Sequence, residues 1–309
     1  MRGSGKTTAA GLAVTGLLVM SLGWATPDAA HYSEWSDPVN FGATVNASST
    51  DIAPSISKSG LSLYFSSLRP GGFGGFDLWV SRRLKQTAPW GIPENLGPAI
   101  NTGSNDQGAT LSRDGHFLFF VSDRPGGLGG QDLWVSWRAH TRDDFGWQPP
   151  VNLGAGVNSE AHDHGPGYFE NDDEGIPLLY FGSARPGGPG SDDIYVSAMT
   201  AEGAFASATL VAELSTPFAD VGPDVRHDGR EMFLHSDRPG SFGLFDLWVS
   251  TRDTVFDAWS TPVHMGGINT ASGEGQPAIT SDRETLFFFS AQRPRLRHRP
   301  SGSWPRVHG

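Results

Sequence analysis

The sequence predicts an all-β fold, a five-bladed β-propeller of four-stranded blades. Three observations carry this prediction. A glycine-rich stretch occurs four times, as RPGGFGGFDLW (69–79), RPGGLGGQDLW (124–134), RPGGPGSDDIY (185–195) and RPGSFGLFDLW (238–248). Each copy lies inside a longer unit, and the units open with Asp51, Asp106, Asp163, Asp220 and Glu274, spaced 55, 57, 57 and 54 residues apart. The 41 glycines and 10 tryptophans among 309 residues suit short strands and tight turns better than helices.

Each unit reads as four strands in order. The first starts at the opening acid: DIAPSIS (51–57), DQGATLS (106–112), DHGPGYF (163–169), DVGPDVR (220–226) and EGQPAIT (274–280). A turn follows, KSG, RDG or HDG in three copies, and then an apolar strand such as LSLYFSS or HFLFFVS. The glycine loop leads into a third strand, DLWVS or DIYVS. An aromatic-led segment ends the unit: WGIPENLG (90–97), WQPPVNLG (147–154), FASATLVA (205–212) and WSTPVHMG (259–266). Four-strand units at this period are the pattern of propeller blades. Trp79, Trp134, Tyr195 and Trp248 are expected to fill the space between neighbouring blades. WSDPVNFG (35–42) reads as a fourth strand ahead of the first unit, while the fifth unit lacks one. The N-terminal strand is therefore expected to close the last blade and remove an open edge.

The ends differ in character. Residues 1–25 carry Arg2 and Lys6 before a short uncharged apolar run and a small-residue site at Gly23-Trp24-Ala25, as a signal peptide does. GSGKTT (3–8) lacks the upstream glycine and strand of a phosphate-binding loop. The propeller is assigned to 31–292. Residues 293–309 form an aberrant basic tail where GGFGxDLWVS is due. One set of codons for Arg295 to Arg299, shifted by one base, reads Gly-Phe-Gly-Thr-Asp, so the tail reads as a frame-shifted end of blade five.

Formal charge is −11, and removal of Arg2 and Lys6 makes it −13. This excludes nucleic acid and anionic membrane surfaces as natural partners. No cysteine is present, so an exported form relies on burial and topology. No membrane span is expected after signal cleavage, and the protein is placed in the periplasm, the cell envelope or the medium, as a monomer.

The SxDG turn, the FxSxRPGGxGGxDLW run and the following VS together resemble the WD-repeat-like propeller repeat of TolB and related envelope proteins, over residues 33–292. The resemblance implies a propeller and an envelope setting, and it implies no single activity. Its members include envelope binding proteins and propellers attached to hydrolases; no GxSxG elbow occurs here.

Candidate sites follow from the repeat. Glycine supplies the positive φ that the loops need, and Asp77, Asp132, Asp193 and Asp246 are expected to clasp them by accepting backbone amides. Arg69, Arg124, Arg185 and Arg238 are expected to pair with those carboxylates. GGxGxD also resembles a calcium-binding nonapeptide, but the 55-residue period lacks its stacking. The opening acids Asp51, Asp106, Asp163, Asp220 and Glu274 either ring a funnel and meet a cation or cationic ligand, or cap their own turns. His162 and His164, on one face of an extended segment beside Glu160, are candidate ligands for a divalent cation. The near-identical loops favour a non-catalytic propeller that binds an envelope protein, peptide or glycan at its funnel. The alternative is a secreted hydrolase or lyase using funnel carboxylates, with or without a metal.

Overall fold

The computed structural model describes residues 35–170 and 176–291. The signal segment, the basic tail and the frame-shift reading lie outside these residues. Among the described residues all regular structure is β, and no helix is long and apolar enough to cross a membrane.

Four units form complete four-stranded antiparallel sheets. Blade one is β1 (Asp51–Ile56), β2 (Ser62–Ser67), β3 (Asp77–Arg82) and β4 (Glu94–Asn95), paired in that order. Blade two is β5 (Asp106–Leu111), β6 (Phe117–Ser122), β7 (Asp132–Trp137) and β8 (Val151–Asn152). Blade three is β9 (Asp163–Phe169), β10 (Leu178–Ser183), β11 (Asp193–Ala198) and β12 (Thr209–Leu210). Blade four is β13 (Asp220–Val225), β14 (Glu231–Ser236), β15 (Asp246–Thr251) and β16 (Val263–His264).

The expected count of five blades is corrected to four. The fifth unit contributes a two-stranded sheet, β17 (Glu274–Ile279) and β18 (Leu286–Ser290). The segment 35–42 forms no strand and pairs with no sheet. It closes the structure by side-chain packing instead. The Phe41 ring lies 5.4 Å from Phe287 of β18 and 6.3 Å from Trp90 of blade one. WSDPVNFG carries one strand-like aromatic pattern, but its proline cannot donate to a ladder, and among the described residues the fifth unit has no third strand for it to extend.

The core lies between sheets. Tyr64, Leu78 and Val80 of blade one interlock with Leu118, Phe120 and Trp134 of blade two. Equivalent apolar clusters join blades two and three, and blades three and four. Blade four meets the two-stranded sheet through Phe233, Leu247 and Phe288, and that sheet meets blade one through Ala278, Phe287, Leu63 and Phe65. Second strands are buried on both faces, which explains why LYF, LFF and LLYF read as continuous apolar runs without alternation.

A polar staple recurs at the start of the third strand in blades one, two and four. Asn101 accepts from the Leu78 amide and donates to the Leu78 carbonyl, at 2.8 and 2.9 Å. Asn158 does the same at Leu133, and Asn269 at Leu247. Each staple satisfies both backbone groups of a fully buried leucine, so the chain leaves one blade for the next without an orphaned amide.

Candidate functional site

The five opening acids are fully or nearly buried, and each is occupied within its own unit. Asp106 accepts from the Thr102 amide (2.6 Å), the Thr102 hydroxyl (2.9 Å), the Ser122 hydroxyl (2.5 Å) and Arg124 Nη2 (2.5 Å). Asp163 and Asp220 repeat the pattern with Ser159 and Arg185, and with Thr216 and Arg238. Asp51 takes the Ala47 amide at 2.6 Å and Arg69 at 2.7 Å. Glu274 takes both donors of Thr270 and the Ser290 hydroxyl. Their lone pairs are filled by turn donors and guanidinium, so they cap turns and present no open carboxylate to a ligand.

The arginines of the RPGG stretches do not pair with the loop aspartates. Each reaches the opening acid of its own unit and also donates to a carbonyl of the entry segment. Those carbonyls belong to Val45, Ile100, Val157 and Leu214. The guanidinium of Arg124 lies 5.0 Å from the Phe120 ring centroid and 5.2 Å from Trp134. Arg69 and Arg185 sit likewise between two rings, and Arg238 lies over Trp248. A buried cation is thus held by a carboxylate in its plane and aromatic faces above and below.

The loop aspartates hold the glycine loops directly. Asp77 accepts from the Phe73 amide (2.6 Å) and from Asn95 Nδ2 (2.8 Å). Asp132 accepts from the Leu128 and Gly129 amides, Asp193 from Gly190, and Asp246 from Phe242 and His264. A side chain at Gly74, Gly129, Gly190 or Gly243 would strike a backbone carbonyl of the next unit's entry turn. The loop therefore carries shape: it wedges its backbone against the neighbouring unit.

The histidine cluster does not assemble. His164 Nε2 lies 2.9 Å from Asp192 Oδ1, while the His162 ring packs over Gly130 and Glu160 is exposed. Among the described residues no three His, Cys, Asp or Glu side chains come together. His235, next to His164 in the fourth blade, is buried, and burial pulls its pKa down to about 3. Its neutral Nδ1 accepts from the Gln276 amide at 3.2 Å.

The open site lies elsewhere, on the axis. Each innermost strand carries a bulge, with a left-handed residue three positions into the strand: Ala53, Gly108, Gly165, Gly222 and Gln276, with φ from 48° to 64°. These residues and their successors form a narrow neck. The bulge re-aims the fifth position of the strand, which is Ser55, Thr110, Gly167, Asp224 and Ala278 in the five units. Four of these line a cavity of about 110 Å³ at the end of the neck opposite the glycine loops. Asp224 and Thr110 border both the neck and the cavity.

Asp224 is the carboxylate in a ring of small residues. Its Oδ2 accepts from the Ile279 amide at 2.7 Å, its one hydrogen bond among the described residues, and no cation lies beside it. Burial pushes its pKa up to about 7, against the lowering effect of that amide. The side chain keeps partial contact with the channel space. Beyond the end of each inner strand the eighth positions also line the cavity: Lys58, Arg113, Glu170, His227 and Ser281. Glu170 thus shares one cavity with Asp224, and Tyr168 beside it has a phenol pKa raised by burial and by the Glu170 charge.

Asp224 and Glu170 were not among the residues singled out from sequence. A signal was present: with the inner strands aligned on their acids, position five reads Ser, Thr, Gly, Asp, Ala, and position eight reads Lys, Arg, Glu, His, Ser.

No protein-family model and no curated protein sequence matches the chain. Solved structures do. An α-L-arabinofuranosidase from Lactobacillus brevis aligns at TM-score 0.55 and 16% identity, over 85% of this chain and 90% of that one. A thermostable family-43 glycoside hydrolase aligns at TM-score 0.52 and 14% identity, over 80% and 85%. A structure from Agrobacterium tumefaciens described as TolB aligns at 0.46 and 18%, over 81% and 73%, a score that adds nothing to the assignment. At these identities the likeness defines the fold, an all-β propeller. The expectation of a non-catalytic binding propeller is corrected by this set: several solved structures that share the architecture are described as glycoside hydrolases, and the carboxylates of the funnel, on which ligand binding was to rest, are closed by their own turns.

Proposed function

We propose that the chain is a hydrolase of glycosidic bonds, with its reactive centre in the axial cavity. The observation that carries the reading is Asp224, a carboxyl whose pKa burial pushes up to about 7, in a cavity that Glu170 also lines. Glycoside hydrolysis needs such a pair, one carboxyl protonated and one ionised. The shared architecture with an α-L-arabinofuranosidase and a family-43 glycoside hydrolase supports the same reading.

In this reading Asp224 gives its proton to the glycosidic oxygen as the bond from that oxygen to the anomeric carbon breaks. The leaving sugar departs as the alcohol. Glu170 supplies the ionised carboxylate that steadies positive charge on the anomeric carbon, and water adds there, its proton returning the pair to the starting state. Ser55 and Thr110 offer hydroxyls to the sugar ring from the neighbouring inner strands. The WD-repeat-like identity of the repeat, the export of the protein through residues 1–25 and its envelope setting belong to the same proposal; mass spectrometry tests the export, with a mature form beginning near Thr26 as the expected outcome and an intact Met1 as the result that overturns it.

The test is a panel of chromogenic glycosides, pentofuranosides and hexopyranosides of both anomers, with wild type, Asp224→Asn and Glu170→Gln. Turnover of at least one member, reduced about 10²- to 10⁴-fold in both variants, is expected. Turnover unchanged by Asp224→Asn, or none across the panel with a folded protein, overturns the reading. The anomer released first, followed by proton NMR, tells water activation from covalent attack by Glu170.

A further inference from the structure

Among the described residues the fifth unit has the parts that receive a third strand but no third strand. In blade one the outer edge of the second strand pairs with the third along its length, from Ser62 beside Arg82 to Ser67 beside Asp77. The second strands of all four complete blades are buried at every position after the first. β18 pairs with β17 alone, and its Leu286, Phe288 and Phe289 are half-buried where the counterparts Leu63, Phe65 and Ser66 are buried. An apolar edge of this kind is a template for a further strand.

The segment that enters blade one carries the matching groups. Asn46 stands where Asn101, Asn158 and Asn269 stand, and each of those staples the buried leucine of the preceding third strand. The Asn46 amide donates to the Gly42 carbonyl at 2.9 Å, just as Asn101 donates to Gly97, so the turn is the same. Its side chain has no hydrogen bond among the described residues. Asn40 is set in the same way: its Oδ1 accepts from the Gly42 amide at 2.8 Å, as Asn95 and Asn152 accept from Gly97 and Gly154. Asn95 and Asn152 then donate through Nδ2 to the loop aspartate of their blade, at 2.8 and 3.0 Å. Asn40 Nδ2 has no such acceptor among the described residues. The amides of Asp106, Asp163, Asp220 and Glu274 each donate to the carbonyl just ahead of the preceding loop aspartate, at 2.7 to 2.9 Å. The amide of Asp51 has no such partner among the described residues. Three groups thus match three parts of one strand: a leucine backbone, a carboxylate and a carbonyl.

A second copy has no such strand to give, because β3, β7, β11 and β15 are each paired on both edges. In the basic tail the stretch between Pro294 and Pro300 reads Arg-Leu-Arg-His-Arg. Third strands are buried at four or all of their first five positions, a setting closed to unpaired charges. We infer that the edge of β18 takes an extended segment of another polypeptide, with the pattern Asp-Leu-aromatic-Val-Ser, by strand addition. The register of blade one carries over: the aspartate lies beside Ser290, the leucine beside Phe289 and the aromatic residue beside Phe288. Asn46 staples the leucine backbone and Asn40 donates to the aspartate. The site is separate from the axial cavity and does not depend on the hydrolase reading.

The experiment is titration of the full chain with a synthetic peptide that has the sequence of residues 69–82, read by calorimetry and by thermal melting. Saturable binding of one peptide per chain is expected, with a melting temperature that rises with peptide concentration. The same peptide carrying Leu78→Pro lacks the amide that Asn46 takes and should bind at least ten-fold more weakly. A peptide with the sequence of residues 293–306 should not bind. In the protein, Asn46→Ala should weaken binding of the first peptide about ten-fold. Its side chain makes no hydrogen bond among the described residues, so the melting temperature of the free chain should stay as it is. Hydrogen exchange supplies a second reading: the Asp51 amide should exchange quickly in the free chain and slowly with the peptide bound. No binding of the 69–82 peptide, or binding unaltered in Asn46→Ala, overturns the inference. So does an Asp51 amide already protected without peptide, which would give the edge to residues of the chain itself.

Discussion

Arg69 donates through Nη2 to both Asp51 Oδ1 and the Val45 carbonyl, each at 2.7 Å. One guanidinium therefore ties the loop between the second and third strands to the acid that opens the first strand and to the segment that enters the blade. Three more units repeat the arrangement. The glycine-rich stretch and the opening acid, 18 residues apart in blade one, are two ends of one device.

In blade two, Arg124→Ala leaves Asp106 buried with its hydroxyl and amide donors but no counter-charge. Loss of about 3–5 kcal/mol is expected, read from chemical denaturation. Arg124→Lys recovers little of it. An ammonium cannot donate to Ser122, Ile100 and Asp106 in one plane while lying between Phe120 and Trp134. A lysine variant as stable as wild type would show that charge alone suffices.

A glycine of a loop and a glycine of an entry turn give a contrast. Gly129→Ala drives a methyl into the Ala161 and Ser159 carbonyls, both backbone and unable to yield. Gly103 has open space where a side chain would go and no positive φ. Gly129→Ala is expected to cost more than about 2 kcal/mol, in the range of overpacking changes, while Gly103→Ala stays within about 0.5 kcal/mol. Equal melting temperatures would remove the wedge role of the loop.

The repeat was legible because each unit restates the same strand order and turn chemistry. The aromatic positions and the loop aspartates follow from patterns of period and residue type, whereas the expected closure by an N-terminal strand does not form. Blade count was not legible: ETLFFFS looks like any second strand, and nothing in WSDPVNFG says that Phe41 would pack on Phe287 and Trp90 without pairing. The partner of each loop arginine was also hidden. Both Asp77 and Asp51 are plausible in sequence, and only the path of the chain brings Asp51 to Arg69. The axial site was obscured by the repeat itself. Five matching acids drew notice, whereas Asp224 departs from its counterparts Ser55, Thr110, Gly167 and Ala278, and its direction depends on a bulge at Gly222 that no propensity announces.

That bulge carries strain where the residue is not glycine. Ala53 and Gln276 hold φ of 52° and 48° in the register where units two to four have glycine. Gln276 also has a buried Oε1 with no hydrogen-bond partner. Gln276→Gly relieves both and should stabilise the fold by about 1–2 kcal/mol; Ala53→Gly, which relieves the backbone alone, should give about half of that. The melting temperatures of the two variants check the order. Destabilisation by Gln276→Gly would mean that the glutamine side chain packs the neck in a way that outweighs its strain.

Asp224 and His235 set opposed slopes of stability with pH. The Asp224 pKa is raised from 3.8 to about 7 on folding, so between these values the folded chain binds more protons than the unfolded one. Stability from this group falls as pH climbs from about 4 to 7. The His235 pKa is lowered from 6.5 to about 3, so there the unfolded chain binds more protons, and stability falls as pH drops from about 6.5 to 3. The windows overlap and the slopes cancel, which gives these two groups together a nearly level profile between pH 4 and 6.5. Asp224→Asn keeps the shape and an acceptor for the Ile279 amide while removing the charge. It should leave stability near that of wild type at pH 4, and add about 2–4 kcal/mol at pH 8, with a profile that now rises with pH. His235→Leu should tilt the other way; the cost of its orphaned Gln276 amide is constant in pH, so the slope and not the level is the readout. Denaturant midpoints for the three proteins at pH 4, 6 and 8 measure both. Under the hydrolase reading Asp224→Asn is also inactive, and wild-type turnover declines above about pH 7 as the proton donor ionises. A variant that is more stable at pH 8 and catalytically dead marks Asp224 as a residue kept for chemistry against the interest of the fold. If Asp224→Asn instead loses stability at pH 8, the carboxylate is ionised and satisfied in the native state, and the axial acid is a structural group.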